Sequence, residues 1–259
     1  MAELLFWPAL VAYGEAAVAY GADVRRPGLA GRLATWGVRI GWLAQTGLLG
    51  VQAARADGFP WTSWAGALNL FVWLVIGAYL IWGCRARYRL LGLAVMPLAV
   101  GLFALARAGG GTDAGAEPHL SNLFLVLHVG LLLAAFAGFT LAAALAALYL
   151  FQERRLKRRE ASILRLPAPA LAALDRFAGR TVAVSFPALT LGIAVGLVRL
   201  ARSGGSFDAV MAATLATWAG YACFVALRYG FAWRGRRTAY LAVAGFALVL
   251  VLLPIGHFS

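Results

Sequence analysis

Residues Leu123–Phe151 read LFLVLHVGLLLAAFAGFTLAAALAALYLF, a run without any charged side chain. At about 1.5 Å per residue, a helix of this length exceeds the roughly 30 Å hydrocarbon core of a bilayer. Strands of a membrane barrel would instead be about ten residues long and alternate in polarity. The stretch therefore predicts a transmembrane helix that protrudes into the charged run QERRLKRRE at 152–160.

Seven further apolar stretches of similar character lie on both sides of this run. The chain is 63% hydrophobic and only 13% charged, whereas a soluble domain carries about 25% charged residues. We therefore predict an all-α fold, a polytopic integral membrane helical bundle of about eight transmembrane helices. The spans of this single transmembrane domain (1–259) are expected near 4–21, 33–53, 61–83, 90–106, 123–151, 181–200, 210–228 and 238–255.

The net charge of +13 is distributed as a topology signal. Most of the 23 Lys and Arg residues fall in the connections after spans one, three, five and seven. The positive-inside rule then makes these connections cytoplasmic and both termini non-cytoplasmic, in a multi-pass protein of the cell (inner or plasma) membrane. The short basic clusters favour contacts with anionic membrane lipids and no nucleic acid.

One connection is long enough to hold structure of its own. The segment 161–180 contains Pro167 and Pro169, followed by the amphipathic sequence LAALDRF at 171–177. This pattern predicts a short helix that lies on the cytoplasmic surface of the membrane.

Four polar residues are expected inside the first three spans. Glu15 and Arg39 lie at intermediate depths of spans one and two, so we expect an ion pair between these neighbouring helices, with either a packing or a functional role. Gln45 and Asn69 are expected to hydrogen-bond across helices two and three.

The three histidines all fall near the outer face of the predicted topology. His119 precedes span five, His128 lies about two turns further along, and His257 ends span eight. Neutral imidazoles from two helices can ligate heme iron from both axial sides. The alternative is that each ring simply occupies an interfacial zone that tolerates polar groups. The sequence contains no nucleophile elbow, phosphate loop, HExxH or CxxC, so no enzymatic activity is predicted.

The last third of the chain resembles the cytochrome c assembly family of CcsA and HemX. The resemblance depends on FAWRGRRTAYL at 231–241, AGF at 244–246 and GHF at 256–258, with LHVGL at 127–131 in span five. It implies heme handling at the outer face for delivery to apocytochrome c. The implied metal ligands are His128 and His257, with Asp208, Arg199 and Arg202 beside them. The implied cofactor is heme b, and the implied partner is a heme-delivery or cytochrome c assembly protein.

Two departures from the family pattern place the chain closer to the HemX-like branch. The Trp-rich signature WGxxWxWD of the heme-handling branch is replaced by VRLARSGGSFD at 198–208, and Gln45 stands where a span-two histidine often occurs. The predicted function is therefore heme binding or transfer in cytochrome c assembly, or an accessory role in it. The alternative is a non-catalytic HemX-like scaffold or regulator that no longer binds heme and docks a partner through its cytoplasmic basic loops.

Overall fold

The computed structural model describes residues 2–25, 28–55, 61, 63–82, 89–113, 123–159, 169–203 and 207–255. These residues form eight α-helices and no strand, and a π-helical segment at Ala226–Gly230 continues α7. The helices are α1 (Ala2–Arg25), α2 (Leu29–Arg55), α3 (Trp64–Trp82), α4 (Arg89–Ala108), α5 (Leu123–Lys157), α6 (Leu171–Ser203), α7 (Ala209–Val225) and α8 (Arg236–Ile255).

The prediction of a polytopic all-helical membrane protein is confirmed. Among the described helices, six contain segments that are long and apolar enough to cross a bilayer, and each of the eight coincides with a predicted span. Spans at α2 and α8 stay predictions. The six segments are Leu4–Val24, Trp64–Ile81, Leu90–Ala108, Leu123–Lys157, Leu171–Arg202 and Ala209–Gly230.

The helices divide into two compact units, the first of which contains α1 to α4. Helices α1 and α2 pack against each other in antiparallel directions, since Gly37 meets Ala12 and Gly47 meets Leu5. Close approach depends on glycine: a Cβ at Gly41 would lie 2.5 Å from Cε1 of Tyr13.

A buried polar network joins α1, α2 and α3 within this unit. Gln45 accepts a hydrogen bond from the Tyr13 hydroxyl (2.8 Å) and donates one to Oδ1 of Asn69 (2.9 Å). The Asn69 amide donates in turn to Gln52 (3.2 Å) and to the carbonyl of Gly111 (3.1 Å). The predicted contact between Gln45 and Asn69 is confirmed.

The expected ion pair between Glu15 and Arg39 is wrong for a single copy of the chain. Both side chains are exposed, and within the described helices no salt bridge joins them. The Arg39 guanidinium lies instead over the Trp36 ring, 5.0 Å from its centroid. The physical reason is that both residues occupy outward faces of their helices and not the seam between them.

The second unit contains α5 to α8 around one apolar core. Its centre is the parallel stack of Phe139 and Tyr221, whose ring centroids are 3.6 Å apart. Helices α5 and α6 pack in antiparallel directions, because Gly138 meets Ser185 whereas His128 meets Gly196 further along α6.

The predicted surface helix at 171–177 is wrong. These residues form the first turns of α6, which continues without a break to Ser203. Leu174 is fully buried and Ala173 nearly so, and Asp175 pairs with Arg228. The apolar face therefore packs against protein rather than lipid, which explains why the segment extends the span.

Candidate functional site

His128 lies in the second turn of α5 and is half-buried against α6. Its Nδ1 is 2.7 Å from the carbonyl oxygen of Gly192. A carbonyl oxygen only accepts, so Nδ1 carries the proton and donates. In the neutral ring Nε2 therefore keeps its lone pair, and this tautomer allows the imidazole to ligate a metal through Nε2.

Two glycines on one face of α6 allow this close approach. A Cβ at Gly196 would lie 2.5 Å from Cε1 and 2.7 Å from Nδ1 of His128, and a Cβ at Gly192 would lie 3.0 Å from Leu132. The four-residue spacing of the glycines puts both under α5, as small residues do at close helix interfaces in membranes.

A pocket of about 360 Å³ opens beside the imidazole, between α5, α6 and α7. Its walls are mostly apolar, and His128, Arg199 and Asp208 are its ionisable members. The size falls near the lower end of the range of about 300–1,000 Å³ for ligand pockets. Its other lining residues are Leu132, Ile193, Gly196, Leu197, Leu200, Phe207, Val210, Met211, Thr214 and Leu215.

Asp208 has a structural function that sequence analysis missed. It is the N-cap of α7: its carboxylate accepts a hydrogen bond of 2.7 Å from the backbone N–H of Met211, and its backbone is extended (φ −114°, ψ 173°). An N-cap carboxylate satisfies a free N–H and faces the positive end of the helix dipole. The sequence signal was an Asp directly before the apolar run at 209–225.

The two candidate arginines, Arg199 and Arg202, differ in their position relative to the pocket. Arg199 lines the pocket with an exposed side chain, whereas Arg202 is outside the lining and its guanidinium lies 4.8 Å from the ring centroid of Phe124. Phe124 is one turn before His128 on α5, so Arg202 is at the same end of this unit.

His257, the second predicted iron ligand, lies outside the described residues, as does His119. The structure thus brings together His128, Arg199 and Asp208, and it does not test the predicted histidine pair. In the described part of the chain, no three His, Cys, Asp or Glu side chains converge as a metal-binding group.

A buried ion pair at the opposite end of α6 was also missed. Arg228, in the π-helical turn, donates to both carboxylate oxygens of Asp175 (3.0 Å each), and the side chains are only 8% and 11% exposed. The backbone N–H of Gly235 (2.9 Å) and the Thr238 hydroxyl (3.1 Å) also donate to Asp175. Gly235 adopts φ +72°, a conformation that suits glycine. No spacing in the sequence connects residues so far apart.

Comparison with known proteins agrees with this architecture. The family model described as cytochrome C assembly protein matches residues 61–254. Cytochrome c biogenesis protein CcsA of Gloeothece citriformis is 28% identical, over 85% of this chain and 82% of its own length. CcsA proteins of Microcystis aeruginosa (27%; 85% and 82%) and Synechococcus elongatus (27%; 90% and 87%) are also similar. No solved structure matches.

The family match includes α3 to α7 and most of α8, and therefore every element of the pocket. Because the match covers well over half of the chain, this membrane protein belongs to the cytochrome c assembly protein family and has a role in cytochrome c biogenesis.

Proposed function

We propose that the protein binds heme, or passes it on, at the pocket beside His128 during cytochrome c assembly. The observation that carries this proposal is the hydrogen bond from His128 Nδ1 to the Gly192 carbonyl oxygen. It fixes the ring and leaves Nε2 able to ligate iron. Heme is the cargo and the protein is an assembly factor rather than an enzyme.

The residues around His128 fit such a cargo. Mostly apolar walls suit the faces of a porphyrin, and the exposed guanidinium of Arg199 suits a propionate. Arg202 would pair with a second carboxylate at the pocket end of α6. Asp208 contributes by fixing the start of α7, whose first turns carry Val210, Met211 and Thr214 into the lining. His257 would supply the second axial ligand.

The membrane orientation belongs to the same proposal. With both termini non-cytoplasmic, the His128 end of α5 opens outside the cell membrane, where apocytochrome c is the acceptor. Reporter fusions at the C-terminus and in the 160–168 connection test this directly. The C-terminal fusion should report an outer location and the internal fusion a cytoplasmic one. A cytoplasmic C-terminus would put His257 on the wrong face.

Heme titration of the full chain in detergent tests the site. Wild type should give a shifted Soret band at stoichiometric heme, and His128→Ala and His257→Ala should each weaken binding and change the band. Val184→Ala is the matched control, because Val184 is exposed on α6 away from the pocket. The proposal fails if wild type gives no shift, or if both histidine variants bind and absorb as wild type does.

The second candidate is a HemX-like scaffold or regulator that docks a partner through its basic loops and carries no heme. The observation favouring it is the sequence at 198–208, which includes the end of α6 and the connection to α7 and contains no tryptophan. The same titration separates the two candidates. An unshifted spectrum in a correctly folded wild type would favour the scaffold.

A further inference from the structure

Glu15 and Arg39 lie at the same depth, near the middle of α1 and in the first half of α2. Glu15 is ten residues before the end of α1 at Arg25, and Arg39 is ten residues after the start of α2 at Leu29. Both therefore lie roughly 15 Å along the helix axis from the connection between α1 and α2. The packing of Gly37 against Ala12 and Ala16 confirms that these levels coincide. On the proposed topology, in which α1 and α2 both cross the bilayer, this level is the middle of the hydrocarbon core, whose half thickness is about 15 Å.

Neither charge is compensated within the part of the chain that the structure describes. Glu15 is exposed and has no hydrogen bond or ion pair there, and Arg39 contacts only the Trp36 ring among charged or aromatic groups. Ionisable side chains at this depth are costly in lipid and are usually found facing protein or a partner charge. Lipid alone is therefore a poor neighbour for this surface.

The residues around the two charges form a regular apolar surface. On α1, Val11 and Val18 are 63% and 75% exposed, at spacings of four and three from Glu15; on α2, Trp36 and Ile40 are 58% and 55% exposed beside Arg39. Spacing of three and four puts such residues on one stripe of a helix. We call these six residues the α1–α2 outer face.

The α1–α2 outer face is self-complementary. It presents one acid and one base at equal depth on two antiparallel helices. A two-fold axis along the membrane normal would set α1 of one copy against α2 of the other, which brings each Glu15 opposite the partner's Arg39. In a two-fold interface the same patch serves both copies, so one such contact forms two ion pairs.

We propose that the protein forms a homodimer through the α1–α2 outer face, held by reciprocal Glu15–Arg39 pairs. Val18 of each copy then packs near the second copy's Trp36 level, and Val11 near its Leu43 level. This interface lies in the first unit and is independent of heme binding in the second.

Charge reversal in differently tagged, co-expressed full-length copies tests the proposal. Glu15→Arg alone puts two bases on the face and Arg39→Glu alone puts two acids there, so each should self-associate at least about tenfold more weakly than wild type. A mixture of the two variants restores both pairs and should recover co-purification. Arg55→Glu, at the far end of α2, is the charge-matched control and should associate as wild type does.

Cross-linking in native membranes gives a second readout, which does not require the charge-reversal variants to fold correctly. In a Cys84→Ser/Cys223→Ser background, copies carrying Val18→Cys and copies carrying Trp36→Cys should form a disulfide-linked dimer when mixed. A monomeric wild type with no cross-link would overturn the proposal, as would single reversals that associate normally. Two weakened reversals that fail to recover when mixed would overturn it too, because the charges would then not act as a reciprocal Glu15–Arg39 pair.

Discussion

The imidazole of His128 lies directly against the bare Cα of Gly196. A methyl group at this glycine would come within 2.5 Å of the ring carbon Cε1, closer than any side-chain contact tolerates. The hydrogen bond to Gly192 holds the same ring from one turn away on α6. The orientation of the proposed iron ligand is therefore set by α6 as much as by the residue itself.

Gly196→Ala should displace the His128 ring and weaken heme binding. Over-packing of this kind costs about 1–3 kcal/mol. Because the ring must return to its wild-type position to ligate iron, the same energy raises the Kd for heme by roughly 5- to 150-fold. Gly130→Ala is the matched control, because nothing lies within 4 Å of a Cβ placed there on α5. Heme titration followed at the Soret band measures both. Equal affinities for the two variants would contradict the proposed geometry.

Asp208→Ala should lower stability through the lost N-cap of α7. The expected loss is about 1 kcal/mol, or roughly 2–4 °C in Tm for a chain of this size. Asp208→Ser keeps a capping oxygen and should stay close to wild type in both stability and heme affinity. If the serine variant is stable yet loses heme, the carboxylate contacts the cargo itself. Thermal unfolding in detergent, beside heme titration, separates these results.

Arg228→Met should be the most destabilising change considered, because it leaves the buried Asp175 carboxylate without its cation. Breaking one side of such a pair costs about 3–5 kcal/mol. Lys157→Met breaks the exposed pair with Glu153 (2.7 Å) on α5 and should cost only about 0.3–0.5 kcal/mol. The double variant Arg228→Met/Asp175→Leu should recover part of the loss. Chemical unfolding of the detergent-solubilised protein ranks the three, and a mild Arg228→Met would contradict the prediction.

Gln45→Leu should destabilise the first unit, since Tyr13 loses its acceptor and Asn69 a donor. Interhelical hydrogen bonds in membranes contribute about 1–2 kcal/mol. Thr35→Val is the control on the same helix, where the hydroxyl donates only to the carbonyl of Gly31 (2.8 Å) one turn back. Thermal unfolding should shift for Gln45→Leu and hardly at all for the control.

Helix positions could be predicted from the sequence because hydrocarbon requires long uninterrupted helices, so α5 appears as one apolar run. The start of α6 could not, since LAALDRF has the same periodicity whether its apolar side meets lipid or protein. Only the ion pair between Asp175 and Arg228, which is 53 residues further along the chain, shows that this segment packs against protein.

The candidate site also combines features that could be predicted from the sequence with features that depend on tertiary packing. His128 was predicted because an imidazole near the end of an apolar run is chemically conspicuous. Its dependence on Gly192 and Gly196 was not, because glycines are frequent in these spans and only the packing of α5 on α6 distinguishes two of them. The family resemblance predicts that Asp208 lies beside the cargo, and the structure adds that its carboxylate accepts a hydrogen bond from a backbone N–H that every helix start leaves free.

The amide network of α2 has a consequence for biosynthesis. Gln52 donates to the carbonyl oxygens of Gly111 (3.1 Å) and Asp113 (3.0 Å), beyond the end of α4. During translation α2 reaches the membrane long before these acceptors exist. The Gln52 amide therefore lacks these two acceptors until about residue 113 has been made, whereas Gln45 gains its partners Tyr13 and Asn69 as soon as α3 is in place. The hydrogen-bond network of the first unit is therefore completed only after α4 has been synthesised.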